Sequence, residues 1–315
     1  MTLLQIASLT EDEARSYLES IRWPNGPECP HCGSAKVTRL EGKAHRAGLL
    51  QCNRCREQFT VTVGGVMQDS HVSLRKWVLA FHLLCSSKKG FSALQLQREL
   101  GLGSYRTALF MLHRIREAMS EPLERAKQGT VEMDETYVGG KPRPGDGKIH
   151  KAGRGTSKTA VVAIVERDGD SHCETVRRVD TKTLKAIAQE NISPDATLMT
   201  DEYRIYRQVG RGFKGGHFQV GHNKGEYVRR TDCGIAAHTN TAESFFSLLK
   251  RGHYGVYHQM SKQHLPRYCD EFDFRWDHRK ETDGERTEAA LEGAAGKHLT
   301  YRELVEGDRR RLRGY

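Results

Sequence analysis

Three acidic residues of this 315-residue chain sit where metal-dependent phosphodiester chemistry would need them. Residues 130–137 alternate apolar and polar, which predicts a strand with Val131 and Met133 on one face and Glu132, Asp134 and Thr136 on the other. Residues 197–201 form a second apolar run ending on Asp201, and open α/β sheets gather their sites at such strand ends. Residues 240–250 read as an amphipathic helix. There Glu243, Ser247 and Lys250 share one face at i, i+4 and i+7, leaving Phe245, Phe246, Leu248 and Leu249 for the core. Converging carboxylates can hold two divalent ions about 3.5–4 Å apart, which serve the attacking and leaving oxygens. Hard Mg²⁺ suits such an oxygen set, and a lysine farther along the face can hold a backbone phosphate. Each residue also has a plainer role open to it. Asp201 can cap the segment that follows, and Glu243 can complete a capping box with Asn240 three residues earlier.

A second chemistry is written in cysteines. Cys29 and Cys32 form one C-x2-C knuckle and Cys52 and Cys55 another, with 19 residues between them. Two knuckles complete a tetrahedral thiolate shell for zinc, with no position left for substrate, so the expected zinc is structural. Four unrelated cysteines are the alternative. His31 and His45 are then bystanders, and Cys85, Cys173, Cys233 and Cys269, which lack the spacing, are expected as buried thiols.

Around these residues lie the elements that must hold them. Residues 10–23 predict a short helix, with Thr10 and Glu13 as a capping box and Ala14, Tyr17, Leu18 and Ile21 inward. Residues 28–63 carry the knuckles and end in an alternating strand over 59–63. Residues 72–120 are helical by pattern. Two helices over 92–100 and 104–119, joined by a turn at Gly101 and Gly103, suit a helix-turn-helix, with Arg106, His113, Arg114 and Arg116 facing outward. An ordinary helical hairpin is the other reading. Residues 129–281 alternate strand and helix as an α/β domain, and the polar segment from Thr282 reads as a helix plus a basic tail ending in the run 309–313.

The net charge of +10 favours a polyanionic partner, with nucleic acid ahead of an anionic membrane surface. The longest apolar run, residues 77–85, is far short of a membrane span, and acidic residues 11–13 follow the N-terminus where a secretory leader would be basic. A cytoplasmic protein is the expectation.

Three stretches then show a resemblance: VEMDETYVGGK (131–141), LMTDEYRIY (198–206) and HTNTAESFFSLLKRGHYGVYHQMSKQHLPRYCDEFDFRWDHR (238–279). In these the chain resembles the DDE transposases of bacterial insertion sequences, in particular the ISXO-like group with an N-terminal zinc ribbon. The resemblance spans about residues 10–281. It implies an α/β ribonuclease H-like catalytic core (residues 128–281); the residue patterns place before it an N-terminal helix (1–27), a zinc ribbon (28–63) and a helix-turn-helix-like DNA-binding module (72–120), and after it a basic tail (282–315) that the resemblance does not reach. It implies Asp134, Asp201 and Glu243 as ligands of catalytic Mg²⁺ or Mn²⁺, with Lys250 beside them and Asn240 as the rival third ligand. Its implied partners are the double-stranded DNA of terminal inverted repeats and targets, in a homo-oligomer assembled on the nucleoid. It also points to DNA contact by the basic glycine-rich insert 139–155, and by Lys250, Arg251, His253, Tyr254, Tyr257 and His258, which mix cations with rings.

Overall fold

A computed structural model describes residues 1–120, 125–140, 156–221, 228–230, 234 and 236–306. The chain forms two compact units. One joins Met1–Ser120 to Lys280–Glu306, and the other holds Glu121–Arg279.

The first unit opens with helices α1 (Leu3–Ser8) and α2 (Glu11–Arg22). The capping box of Thr10 and Glu13 starts α2, which buries Ala14 and Leu18. Strands β1 (Val37–Arg39), β2 (Leu50–Cys52) and β3 (Gln58–Phe59) form a small antiparallel sheet. The alternating strand expected over 59–63 stops at Phe59. The chain turns instead, with the Val63 N–H donating to the Thr60 carbonyl and the Thr60 and Thr62 hydroxyls 3.0 Å apart. Helices α3 (Leu74–Ser86), α4 (Ala93–Glu99) and α5 (Tyr105–Met119) follow. The turn between α4 and α5 passes through Gly101 at φ +56°, a left-handed conformation that suits glycine.

The second unit is built on a sheet of β4 (Thr130–Val138), β5 (Thr159–Glu166), β6 (Ser171–Val176), β7 (Thr197–Asp201) and β8 (His217–Val220). Its order is β6-β5-β4-β7-β8, with β5 antiparallel to both neighbours and β4, β7 and β8 parallel. Three strands in meander followed by two parallel ones is the ribonuclease H-like topology. The apolar run of β5 suits its place inside the sheet, between β6 and β4, where it is buried on both faces. On one face Val131, Met133, Val162 and Ile164 pack with α6 (Thr181–Asn191) and α7 (Tyr206–Val209). A two-residue pair, β9 (Arg229–Arg230) and β10 (Ala236–Ala237), precedes α8 (Asn240–Gly252). On the opposite face Val138, Val161, Ala163 and Val165 pack with α8 and α9 (Leu265–Asp277).

The carboxylates of α9 tie it to the edge strand β6. Asp277 accepts from the Ser171 N–H at 2.7 Å, and Asp273 from the Cys173 N–H at 2.8 Å. Burial pushes the Asp277 carboxyl up to about 7, against the opposing pull of Ser171 and Lys127. A carboxyl raised in the fold binds its proton more tightly there than in the unfolded chain. The stability it contributes is whole below about pH 4 and lost as pH climbs through 7. Asp277→Asn should therefore narrow the drop in Tm between pH 5 and pH 8 by several degrees. An unchanged drop in a folded variant would show that Asp277 does not titrate in this way.

The segment from Thr282, expected as a helix followed by a basic tail, is folded as far as Glu306. Helix α10 (Asp283–Glu292) starts at a capping box of Thr282 and Glu285 and packs against α3, α2 and α5. Gly293 passes so near α5 that a Cβ there would meet the Ala118 carbonyl at 2.4 Å. Helix α11 (Tyr301–Glu306) adds Leu304 to the buried set. This return corrects the reading of α5. His113, Arg114 and Arg116 are buried, not outward, because α3, α4, α10 and α11 all pack on this helix. Arg114 donates to the carbonyls of Leu299 and Gln68 and lies over the Phe110 ring. Only Arg106 of the expected four is exposed. The basic run 309–313 lies outside the described residues.

Candidate active site and metal centre

The four knuckle cysteines meet as their spacing predicts. Their Sγ atoms all lie within 4.8 Å of one another, with Cys29 to Cys55 and Cys32 to Cys52 each at 3.6 Å. Zn–S bonds of about 2.3 Å in a tetrahedron require sulfurs about 3.8 Å apart, so the set fits one zinc ion. The β1–β2 register sets Val37 against Cys52, and Leu50, Phe59 and Trp23 pack beside the thiols. Backbone N–H groups of Cys55 and Arg54 draw the Cys52 thiol down to about 6, toward the thiolate a metal takes. His31 and His45 are exposed and outside the cluster. Cys85, Cys173 and Cys269 are buried thiols, and Cys233 lies outside the described residues.

In the second unit, β4 and β7 run parallel with Glu132 opposite Met199. Two residues farther along each strand stand Asp134 and Asp201, at one level and on the face that α8 covers. Burial, then the charges of Glu135, Asp201 and Glu243, raises the Asp134 carboxyl to about 7. Glu243 comes from a helix more than a hundred residues away in sequence, where the preceding residue, Ala242, donates its N–H to Glu132, two residues before Asp134. On α8, Asn240, Glu243, Ser247 and Lys250 are exposed, while Ala242, Phe245, Phe246 and Leu249 are buried. Seven residues of helix set Lys250 about 10 Å along the axis from Glu243.

The plainer roles are only partly taken. Asp201 accepts from the Tyr203 N–H at 2.9 Å, a local turn that caps no helix, since α7 starts at Tyr206. Glu243 is in no capping box. The N-cap of α8 is Thr239, whose side chain makes no capping bond. The open N–H groups of Thr241 and Ala242 donate instead to Glu132 at 2.7 and 3.0 Å. Glu135, on the other face of β4, accepts from the Tyr206 hydroxyl at 2.6 Å.

The mixed cation and ring segment divides. Lys250, Tyr254 and His258 are exposed, and Arg251 folds back on the Ser247 carbonyl at 3.1 Å. His253 is buried. Tyr257 is half-buried against the core, its ring tilted on Tyr268 and its hydroxyl donating to Glu271 at 2.5 Å. A π-helical turn over His253–Tyr257 extends α8. Residues 141–155 of the glycine-rich insert lie outside the described residues.

Sequence reasoning did not find a basic cavity at the sheet end. It has a volume of 760 Å³ and is lined by Lys158, Arg177, Arg178 and Lys262 together with Tyr137 and Tyr203. The adjacent Arg177 and Arg178 at the end of β6 were its only sequence signal. Tyr203 follows Asp201 by two residues, and Tyr137 follows Asp134 by three.

Residues 127–277 match the model of the ISXO2-like transposase domain, and residues 9–58 that of the transposase zinc-ribbon domain. The chain is 30% identical over 281 residues to an uncharacterized protein in transposable element ISH50 of Halobacterium salinarum, covering 85% of this chain and 91% of that protein. Among solved structures, the Mos1 strand transfer complex aligns at 11% identity over 71% of this chain and 79% of its own, with a TM-score of 0.28. A Mos1 transposase paired-end complex aligns at 13% identity over 70% and 80%, with a TM-score of 0.26.

Proposed function

Since the chain belongs to the ISXO2-like transposases that carry a zinc ribbon, we propose that it cuts DNA at the ends of its element and joins the freed 3′-hydroxyls to target DNA. The observation that carries this reading is geometric: Asp134 and Asp201 stand at one level of adjacent parallel strands, and the start of α8, which bears Glu243, is bonded to Glu132 two residues before Asp134. Carboxylates gathered on one face repel one another, and a hard divalent cation relieves that repulsion. Asp134, Asp201 and Glu243 would hold Mg²⁺ or Mn²⁺. Two such ions supply the positive charge that favours in-line displacement at phosphorus.

The protein's own groups do the rest. Lys250 holds a backbone phosphate beside the acidic set. Lys158, Arg177, Arg178 and Lys262 guide the strand at the sheet end, about 10 Å of strand beyond Asp134. The zinc ribbon and the exposed start of α5, with Arg106, grip the terminal repeats. Water attacks the phosphodiester at the element end and releases a 3′-hydroxyl; that hydroxyl then attacks a target phosphodiester, so phosphodiester bonds are exchanged without an external energy source. Joining two ends calls for at least two catalytic subunits on DNA. Among the described residues no helix is long and apolar enough to cross a membrane.

The test is cleavage of terminal-repeat DNA in Mg²⁺ by the Glu243→Ala and Asn240→Ala variants, with pre-cleaved ends as a second substrate. Glu243→Ala should lose about 10³-fold in rate, equivalent to about 4 kcal/mol of barrier. Asn240→Ala should stay within a few-fold of the parent. Loss confined to Asn240→Ala would transfer the third ligand position to the amide. Cleavage without joining of pre-cleaved ends would reduce the protein to a nuclease.

A further inference from the structure

Glu132 is fully buried, with 0% of its surface exposed, two residues before Asp134 on the same face of β4. A carboxylate so placed is stable only if its charge and lone pairs are met. Oε1 accepts from Arg167 Nε at 2.7 Å and the Thr241 hydroxyl at 2.9 Å, and His238 Nδ1 lies 3.0 Å away. Oε2 accepts from the N–H groups of Thr241 and Ala242 at 2.7 and 3.0 Å. Five contacts fill the roughly four acceptor sites of a carboxylate, so Glu132 has none left for a cation.

These partners share one place in the chain. Thr241 and Ala242 open α8, and Ala242 immediately precedes Glu243. The Arg167 guanidinium also donates to the carbonyls of Ala236 and His238, at 2.7 and 3.1 Å, which lead into that helix. The negative charge of Glu132 is matched by the positive end of the α8 dipole and by Arg167. One buried group therefore grips the strand bearing Asp134 and the helix bearing Glu243, one or two residues from each.

We infer that Glu132 is a positioning residue: it locks the start of α8 to β4 and so sets the separation of the Asp134 and Glu243 carboxylates proposed to hold a divalent cation. The inference rests on the assignment of those two residues in the function proposed above. Glu132→Gln is the discriminating change. It keeps the volume, but an amide has one acceptor oxygen. Its NH2 must face either Arg167 or the α8 N–H groups, all of them donors.

The experiment titrates Mn²⁺ by electron paramagnetic resonance into full-length protein bound to terminal-repeat DNA, and follows thermal unfolding and cleavage on the same samples. Glu132→Gln should raise the Mn²⁺ midpoint and lower cleavage together by about 10- to 100-fold, with DNA binding kept. A lower Tm with the parent's Mn²⁺ midpoint would make Glu132 merely structural and overturn the inference. Arg167→Lys, which keeps the charge but cannot reach the carboxylate and both carbonyls at once, should raise the midpoint several-fold. It decides the matter if the glutamine variant does not fold. A parent that binds Mn²⁺ but cuts nothing would refute the proposed function, while the shift in midpoint would still decide the role of Glu132. A parent that binds no Mn²⁺ would refute both.

Discussion

Asp134→Ala should lower cleavage of terminal-repeat DNA by about 10³-fold or more, a loss of at least about 4 kcal/mol of transition-state stabilisation. Its binding to the same DNA should stay within about threefold, because the cations proposed to hold the strand are left in place. The contrast follows from where Asp134 sits. It shares a level with Asp201 on adjacent parallel strands, and its carboxyl is raised by burial and by surrounding negative charge. Such a group costs the metal-free fold stability, and removing it should leave Tm unchanged or higher in the presence of a chelator. In the parent, Mg²⁺ should raise Tm by linkage, and in Asp134→Ala that rise should disappear. Parent-like cleavage by the folded variant would refute the assignment, and so would a parent-like Mg²⁺ response in Tm.

The second large effect belongs to the zinc ribbon. Its strands are three, three and two residues long, and its packed centre is little more than Leu50, Phe59 and the thiols, with Trp23 at the side. A unit this small cannot offset the ordering of its own backbone by apolar burial, so the metal must supply the difference. Structural zinc in comparable modules contributes about 10–16 kcal/mol at neutral pH. Stripping the metal, or replacing Cys52 by Ser, should open residues 28–60 to proteases and abolish end recognition. The sheet of the second unit should keep its circular dichroism. Metal-stripped protein whose ribbon still resists proteolysis would show that packing alone holds it.

The parts of the molecule legible in sequence were those set by short-range periodicity. The knuckle spacing foretold the cysteine cluster, and the i, i+4, i+7 pattern foretold the exposed Glu243, Ser247 and Lys250. Alternation around Asp134 correctly placed Glu132 beside it on one face, but showed nothing of what Glu132 does. Its partners on α8 lie 109 and 110 residues away, and Arg167 lies 35 away. The arginines of α5 were misread for a related reason. Helical periodicity assumes one solvent side, and α5 loses that side to α10 and α11, which arrive from the other end of the chain. The order of the five strands was implied by resemblance and not by the strands' own residues, because apolar runs such as β5 do not encode their neighbours.

That return of the chain has a consequence for synthesis. On the ribosome, α3 and α5 emerge early, but α10 and α11, which cover them, come about 160 residues later. At about 5–20 residues per second, that is a wait of roughly 8–30 s, during which the whole second unit is made. The N-terminal unit is thus the first begun and the last finished. A chain cut short anywhere in its second unit would carry an incomplete first one.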